Sequence, residues 1–143
     1  MKHLLLVAVL IGCTIARGQS PSVARGQSAS VALPVAARLN ANKTVYKDFT
    51  LYRYSLDGIN YKLYYNNRGT WHHSILSYDG ASLPASIGDE IKTVYNNYNI
   101  SWVDELRYPG QAAVYRVQLK KGKKLVIVQV NEEEMEKEAE YEQ

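Results

Sequence analysis

Two adjacent histidines, His72-His73, and two acidic pairs, Asp89-Glu90 and Asp104-Glu105, are the side chains here whose types could carry chemistry. Paired carboxylates can divide acid and base roles, and imidazoles can move protons or bind metals. The spacing argues against each use. On a strand, adjacent side chains leave opposite faces, so His72 and His73 cannot readily close on one ion. The single cysteine, Cys13, stands far away in an N-terminal apolar run. His73 shares a face with Trp71 and Ile75 and reads as a packed strand residue. Asp89-Glu90 falls on the polar side of an expected helix and Asp104-Glu105 alternates along a strand, so solvated faces account for both pairs. The chain has no Gly-x-Ser-x-Gly elbow, no glycine-rich phosphate loop and no His-Glu-x-x-His helix. The expectation is a protein that is not an enzyme, with no catalytic residues, no metal site and no cofactor.

Aromatic residues carry a sharper signal. Twelve tyrosines and two tryptophans stand against one phenylalanine. Rings that also hold a polar atom suit half-exposed surfaces, where they give contact area at low entropy cost and hydrogen-bond at the tip. Alternation sets Tyr52 and Tyr54 on one face of their strand, Lys62 and Tyr64 on one face of the next, and His72 with Ser74 on a third. With Arg116 and Gln118 these residues are expected to form an open aromatic and basic patch that binds a protein through a few hot spots. The competing account makes many of the tyrosines core residues, as Tyr61, Tyr95, Tyr98 and Tyr115 are expected to be.

The elements that must position this patch follow from an internal duplication. Lys43-Thr44-Val45-Tyr46 recurs as Lys92-Thr93-Val94-Tyr95, each after a Leu-Pro, at Leu33-Pro34 and Leu83-Pro84. A repeated unit too small to bury a core alone folds against its copy. In the second copy Ile87, Ile91, Val94, Tyr95 and Tyr98 mark one face of a helix that Pro84 can begin. The matching helix of the first copy, from Pro34 to Tyr46, keeps only Val35, Leu39 and Tyr46 on its stripe. Three alternating stretches follow each helix: Thr50 to Leu56, Ile59 to Tyr65 and Thr70 to Tyr78, then Ile100 to Arg107, Ala112 to Leu119 and Lys124 to Val130. Asp57-Gly58 between the first two is a strong hairpin signal, since these residues tolerate the positive backbone angles of a tight turn. The expected fold is α+β: two tandem α-β-β-β repeats, residues 33–80 and 83–130, forming an antiparallel sheet of about six strands with helices on one face.

The order of Leu-Pro, an amphipathic helix with a late tyrosine, a strand, a Tyr-x-Val strand and a glycine turn into a last strand resembles the PepSY-like family of exported bacterial proteins, often labelled beta-lactamase-inhibitor-like. The likeness covers about residues 33–130 and is clearest from Leu83 to Val130. It implies a duplicated fold like that of a secreted inhibitor of beta-lactamase, and a non-enzymatic binding role in the periplasm or at the surface. The chain departs from the pattern in its asparagine-rich first helix and in an acidic segment where the first copy closes on Asp79-Gly80.

Export is also expected from the N-terminus. Lys2 and His3 precede an apolar run from Leu4 to Ile15 that is too short for a permanent membrane span, so residues 1–18 read as a signal peptide. Leu10-Ile11-Gly12-Cys13 resembles a bacterial lipobox, which would lipidate Cys13 and anchor the protein to a membrane. Small residues at Thr14, Ala16 and Gly18 favour soluble export by ordinary cleavage instead. Residues 19–32 read as a flexible linker built on a tandem octapeptide. From Asn131 to Gln143, seven glutamates face one lysine, so residues 131–143 read as an acidic tail, solvated or at most a frayed helix. Basic residues among aromatics can describe nucleic-acid platforms, but export argues against such a partner. The expected function is an exported binding module that docks an envelope or extracellular protein and restrains or modulates it; the alternative is a small-ligand or glycan binder using the same rings.

Overall fold

A computed structural model describes residues 41–142. The signal peptide, the linker, Cys13 and the first part of the expected N-terminal helix lie outside the described residues. Eight strands form one antiparallel sheet: β1 (Asn42–Val45), β2 (Phe49–Leu56), β3 (Ile59–Asn66), β4 (Trp71–Tyr78), β5 (Asn99–Arg107), β6 (Val114–Lys121), β7 (Lys124–Val130) and β8 (Met135–Glu142). Each strand pairs with its sequence neighbours, in the order β1 to β8. A helix, α1 (Ala85–Val94), interrupts this meander between β4 and β5.

Short turns dictate the meander. Asp57 and Gly58 adopt φ of 51° and 79°, the paired positive angles of a two-residue hairpin turn, and Leu56 pairs with Ile59 across it. In the β3–β4 turn the Asn66 carboxamide oxygen accepts from the backbone N–H of Arg68 and of Thr70, both at 3.0 Å. Asn131 does the same for Glu133 and Glu134 before β8. The chain between β4 and α1 makes one turn of 3-10 helix, Gly80–Ser82, pressed against β5. A Cβ at Gly80 would lie 2.8 Å from the Ile100 carbonyl oxygen, so only glycine permits that approach.

The helix covers one face of the sheet; the other carries no helix among the described residues, and there Leu51, Ser77 and Ile127 are buried by neighbouring side chains. The helix lays Ile87 and Ile91 on the covered face, where Tyr78, Val103, Val117, Leu119, Val126, Val128 and Val130 complete the core. The register puts Tyr78 opposite Val103, Val103 opposite Val117 and Val117 opposite Val128, so the core crosses four strands as one row. A smaller cluster on the same face joins Tyr54 and Leu63 to Ala41, Tyr52, Tyr61 and Tyr65.

The expected two α-β-β-β repeats with about six strands are corrected here: the six expected strands form, but within one sheet of eight that carries a single described helix. The two copies of Lys-Thr-Val-Tyr explain half of the difference. Lys43, Thr44 and Val45 belong to β1 and pair with Tyr52, Leu51 and Thr50. Lys92, Thr93 and Val94 close the last turn of α1, where Tyr95 N–H donates to the Ile91 carbonyl at 2.8 Å. Propensity within four residues is weak, and context decides: β2 offers the first copy a partner edge, whereas Pro84 and the Ile87–Ile91 stripe have already started a helix for the second.

The acidic segment explains the rest. It forms β8, not a solvated tail, because β7 presents buried residues on both faces and needs a neighbour on its open edge. Cations hold the glutamates in place: Lys124 pairs with Glu140, Lys137 reaches Glu140 at 2.9 Å, and Arg116 reaches Glu138 at 2.6 Å. Hydrogen bonds from Lys124 and Lys137 keep the Glu140 carboxyl below the ordinary carboxylate range.

Glu105 is a further correction. It is 6% exposed, on the covered face, where it accepts from the Tyr78 hydroxyl at 2.8 Å and from Arg107 Nε at 2.5 Å. Burial, then the bond to Glu105, pushes the Tyr78 phenol far above its usual range. Burial opposes the charge on Arg107, but Glu105 outweighs it and holds the guanidinium above its ordinary value. Its neighbour Asp104 faces the other way and accepts from Ser77 Oγ at 2.6 Å and Trp102 Nε1 at 3.2 Å.

Candidate functional site

The uncovered face bears a continuous row of rings. Tyr64 pairs with His73 across β3 and β4, and Leu51 and Phe49 precede them on β2. Tyr46 stacks on Phe49 with centroids 4.4 Å apart, Phe49 tilts against Tyr64 at 5.6 Å, Tyr64 stacks on His73 at 4.1 Å, and His73 on Tyr108 at 5.7 Å. The Tyr64 and His73 planes differ by 10°, so each covers a face of the other and presents its edge to solvent. Aromatic contacts of this kind add about 0.5–1.5 kcal/mol each beyond their buried area. An open cleft of about 330 Å³ lies beside the row, lined by Asp48, Phe49, Tyr64, Asn66, His72 and His73.

A β-bulge shapes one wall of that cleft. Tyr64 pairs with His73 and Tyr65 with Trp71, which leaves His72 as the extra residue. The expectation that His72 and His73 diverge to opposite faces therefore fails: their Nδ1 atoms lie 2.7 Å apart. Regular alternation requires a regular ladder, and the bulge removes it at this step. Burial, then the neighbouring His72, holds the His73 imidazole below its ordinary value.

The structure divides the residues that alternation had grouped. Lys62 and Tyr64 lie on the uncovered face with Arg116 and Gln118, and His72 stands at its rim. Tyr52 and Tyr54 lie on the covered face, paired with Leu63 and Tyr61. Tyr52 meets Tyr65 edge-on at 5.6 Å, and Tyr54 stacks on Tyr61 at 4.6 Å with planes 4° apart. Arg116 is engaged by Glu138 from two strands away. Sequence reasoning missed Tyr46, Phe49, His73 and Tyr108 as members of the row; it packs His73 beside Trp71 and Ile75, and the bulge parts it from Trp71. A signal for Phe49 was present: the two-residue turn at Asp57-Gly58 pairs even-numbered residues of β2 with odd-numbered residues of β3, which sets Phe49 with Tyr64 and removes Tyr52.

Tyr54 carries an orphaned group. Its hydroxyl is buried with no hydrogen-bond partner among the described residues, and the side chain is 8% exposed. An unsatisfied buried hydroxyl costs about 1–3 kcal/mol. Tyr54→Phe is therefore expected to stabilise the fold by about 1 kcal/mol, read as a higher midpoint in urea at unchanged slope. Burial, then Tyr61 and Tyr65, pushes the Tyr54 phenol from 10.0 up to about 12. The fold thus favours the neutral phenol; that contribution is complete below pH 10 and disappears as pH rises through about 12. The wild type should lose stability over that window more steeply than Tyr54→Phe.

No family model matches this chain, and no curated protein matches it. Solved structures do. A DUF2874 family protein from Bacteroides ovatus ATCC 8483 is 10% identical, with a TM-score of 0.55 over 68% of this chain and 74% of that one. A second DUF2874 family protein, from Bacteroides uniformis ATCC 8492, is 8% identical, with a TM-score of 0.55 over 71% and 76%. A protein from Bacteroides eggerthii DSM 20697, provisionally described as periplasmic, is 9% identical, with a TM-score of 0.56 over 78% and 89%. At such identity the likeness is one of fold: this chain is built on the same sheet as these Bacteroides proteins.

Proposed function

We propose that this chain is an exported, non-enzymatic binding module that docks an envelope or extracellular protein through its uncovered sheet face and restrains or modulates it. The observation that carries the reading is the row Phe49, Tyr64, His73 and Tyr108 on a face that no described helix covers. Aromatic anchors such as these tyrosines are what protein interfaces concentrate. The ring geometry favours a protein over a glycan. Sugars stack on free ring faces, whereas here Tyr64 and His73 cover each other and offer edges and polar tips. A periplasmic or secreted location agrees with the apolar N-terminal run and with the description of one structural neighbour; the sequence resemblance to PepSY-like exported proteins points to the same class of role.

The test uses the two faces against each other. A partner retained from envelope extracts by the wild type should bind Tyr64→Ala at least tenfold more weakly and Tyr52→Ala unchanged, since hot-spot truncations cost about 2 kcal/mol or more. Loss of binding with Tyr52→Ala alone would move the interface to the covered face and defeat the reading. Calorimetric binding of an envelope glycan, with no protein partner, would favour the small-ligand alternative.

A further inference from the structure

We propose that His72 and His73 form a chelating pair for a late first-row divalent metal, Cu(II) in preference to Zn(II), at the mouth of the cleft beside Tyr64. The separation fits a chelate. Two nitrogens on adjacent corners of a square-planar ion, with bonds of about 2.0 Å, lie about 2.8 Å apart, whereas a tetrahedral ion needs about 3.3 Å. The observed separation of the two Nδ1 atoms is 2.7 Å.

The site is built by the fold and not by chance proximity of two mobile rings. The bulge places His72 out of the ladder and turns it toward its neighbour; bulges serve elsewhere to re-aim side chains in this way. His73 is clamped between the rings of Tyr64 and Tyr108, at 4.1 and 5.7 Å, which fixes the direction of its Nδ1. His72 is exposed and can rotate by the small amount needed to bring both lone pairs onto one ion.

The proton balance is simple. At 2.7 Å one Nδ1 must donate to the other, so one ring carries its proton on Nδ1 and the other on Nε2. Metal binding moves the Nδ1 proton of the donor ring to its own Nε2 through solvent. Both Nδ1 lone pairs then reach the metal, and neutral rings release no net proton. Among the described residues no group of three or more histidine, cysteine, aspartate or glutamate side chains gathers around one point. The remaining corners are therefore left to water, with Asp48 also lining the cleft. Such a two-nitrogen site is exchangeable, and its preference among metals follows the general order in which Cu(II) exceeds Ni(II) and Zn(II).

Copper titration of the full chain tests this, read by calorimetry and by electron paramagnetic resonance. Met1, Lys2 and His3 would supply a competing chelate of amine, amide and imidazole nitrogens, and the Cys13 thiol would reduce Cu(II) and bind Zn(II), so every protein in the series carries His3→Ala and Cys13→Ser. The parent is expected to bind one equivalent of Cu(II) with splitting from two imidazole nitrogens, and at least tenfold more tightly than Zn(II). His72→Gln and His73→Gln should each weaken binding at least tenfold. Because His72 is exposed, His72→Gln keeps the fold, verified by circular dichroism, and stands alone should His73→Gln unfold. Copper affinity unchanged by His72→Gln, or Zn(II) bound as tightly as Cu(II), would overturn the proposal.

Discussion

Glu105→Ala is expected to destabilise the fold by about 2–3 kcal/mol, lowering the thermal midpoint by roughly 10 °C. The carboxylate lies on the covered face of β5 and receives both the Tyr78 hydroxyl and the Arg107 guanidinium. Truncation leaves the phenol without its acceptor and the guanidinium without its counter-charge. Breaking a fully buried pair in this way costs about 3–5 kcal/mol; the Arg107 side chain keeps 33% of its surface, so water recovers part of the loss. Replacing the whole set with apolar groups behaves differently. Glu105→Leu combined with Arg107→Met and Tyr78→Phe removes every polar group at once and should regain more than half of the lost stability. Thermal unfolding of the single and triple variants checks both statements. A Glu105→Ala midpoint within 2 °C of the wild type would show that water already satisfies this site.

Glu105 also marks where the sequence stops being informative. Asp104-Glu105 alternates as a strand pair should, and one of the two must face the helix; alternation gives no reason to expect the longer carboxylate inside. The reason lies in Tyr78 and Arg107, which only the β4–β5 register brings to it. The six strands from Phe49 to Val130 were legible because period-two runs end at turn residues such as Asp57-Gly58, Gly69 and Gly122, whose positive φ the structure retains. The helix from Ala85 was legible from Ile87 and Ile91. What could not be read is what depends on partners distant in the chain. Lys-Thr-Val-Tyr takes two backbone states because each copy meets a different neighbour, and the repeat thus suggested more symmetry than the fold has. The binding face was half legible for the same reason. Lys62, Tyr64, Arg116 and Gln118 share it, but the bulge that turns His72 toward His73 is a departure from the very periodicity used to place them.

Deletion of Glu132 to Gln143 is expected to cost most of the stability of this fold, and here the contrast with a charged appendage is sharpest. Thirteen residues from Asn131 onward carry seven glutamates and one lysine, so composition alone makes removal harmless or even favourable, through relief of like-charge repulsion. The structure requires the opposite. β8 pairs along the whole of β7, from Val130 against Met135 to Lys124 against Glu142. Without it Val126, Ile127, Val128 and Val130, each now 8% exposed or less, would stand on an open edge together with the outward backbone groups of β7. Loss of roughly 200 Å² of apolar cover at about 25 cal/mol per Å² is about 5 kcal/mol, comparable to the entire margin of many domains. A flat, apolar edge strand is also a template for aggregation, which the glutamates of β8 now suppress. The truncated chain should therefore unfold below 37 °C or precipitate, whereas a chain with Glu133→Gln, Glu134→Gln and Glu142→Gln, which leaves the strand and its ion pairs in place, should remain folded within about 1 kcal/mol of the wild type. A truncated protein with the wild-type midpoint and solubility would mean that β7 is the true edge of this sheet.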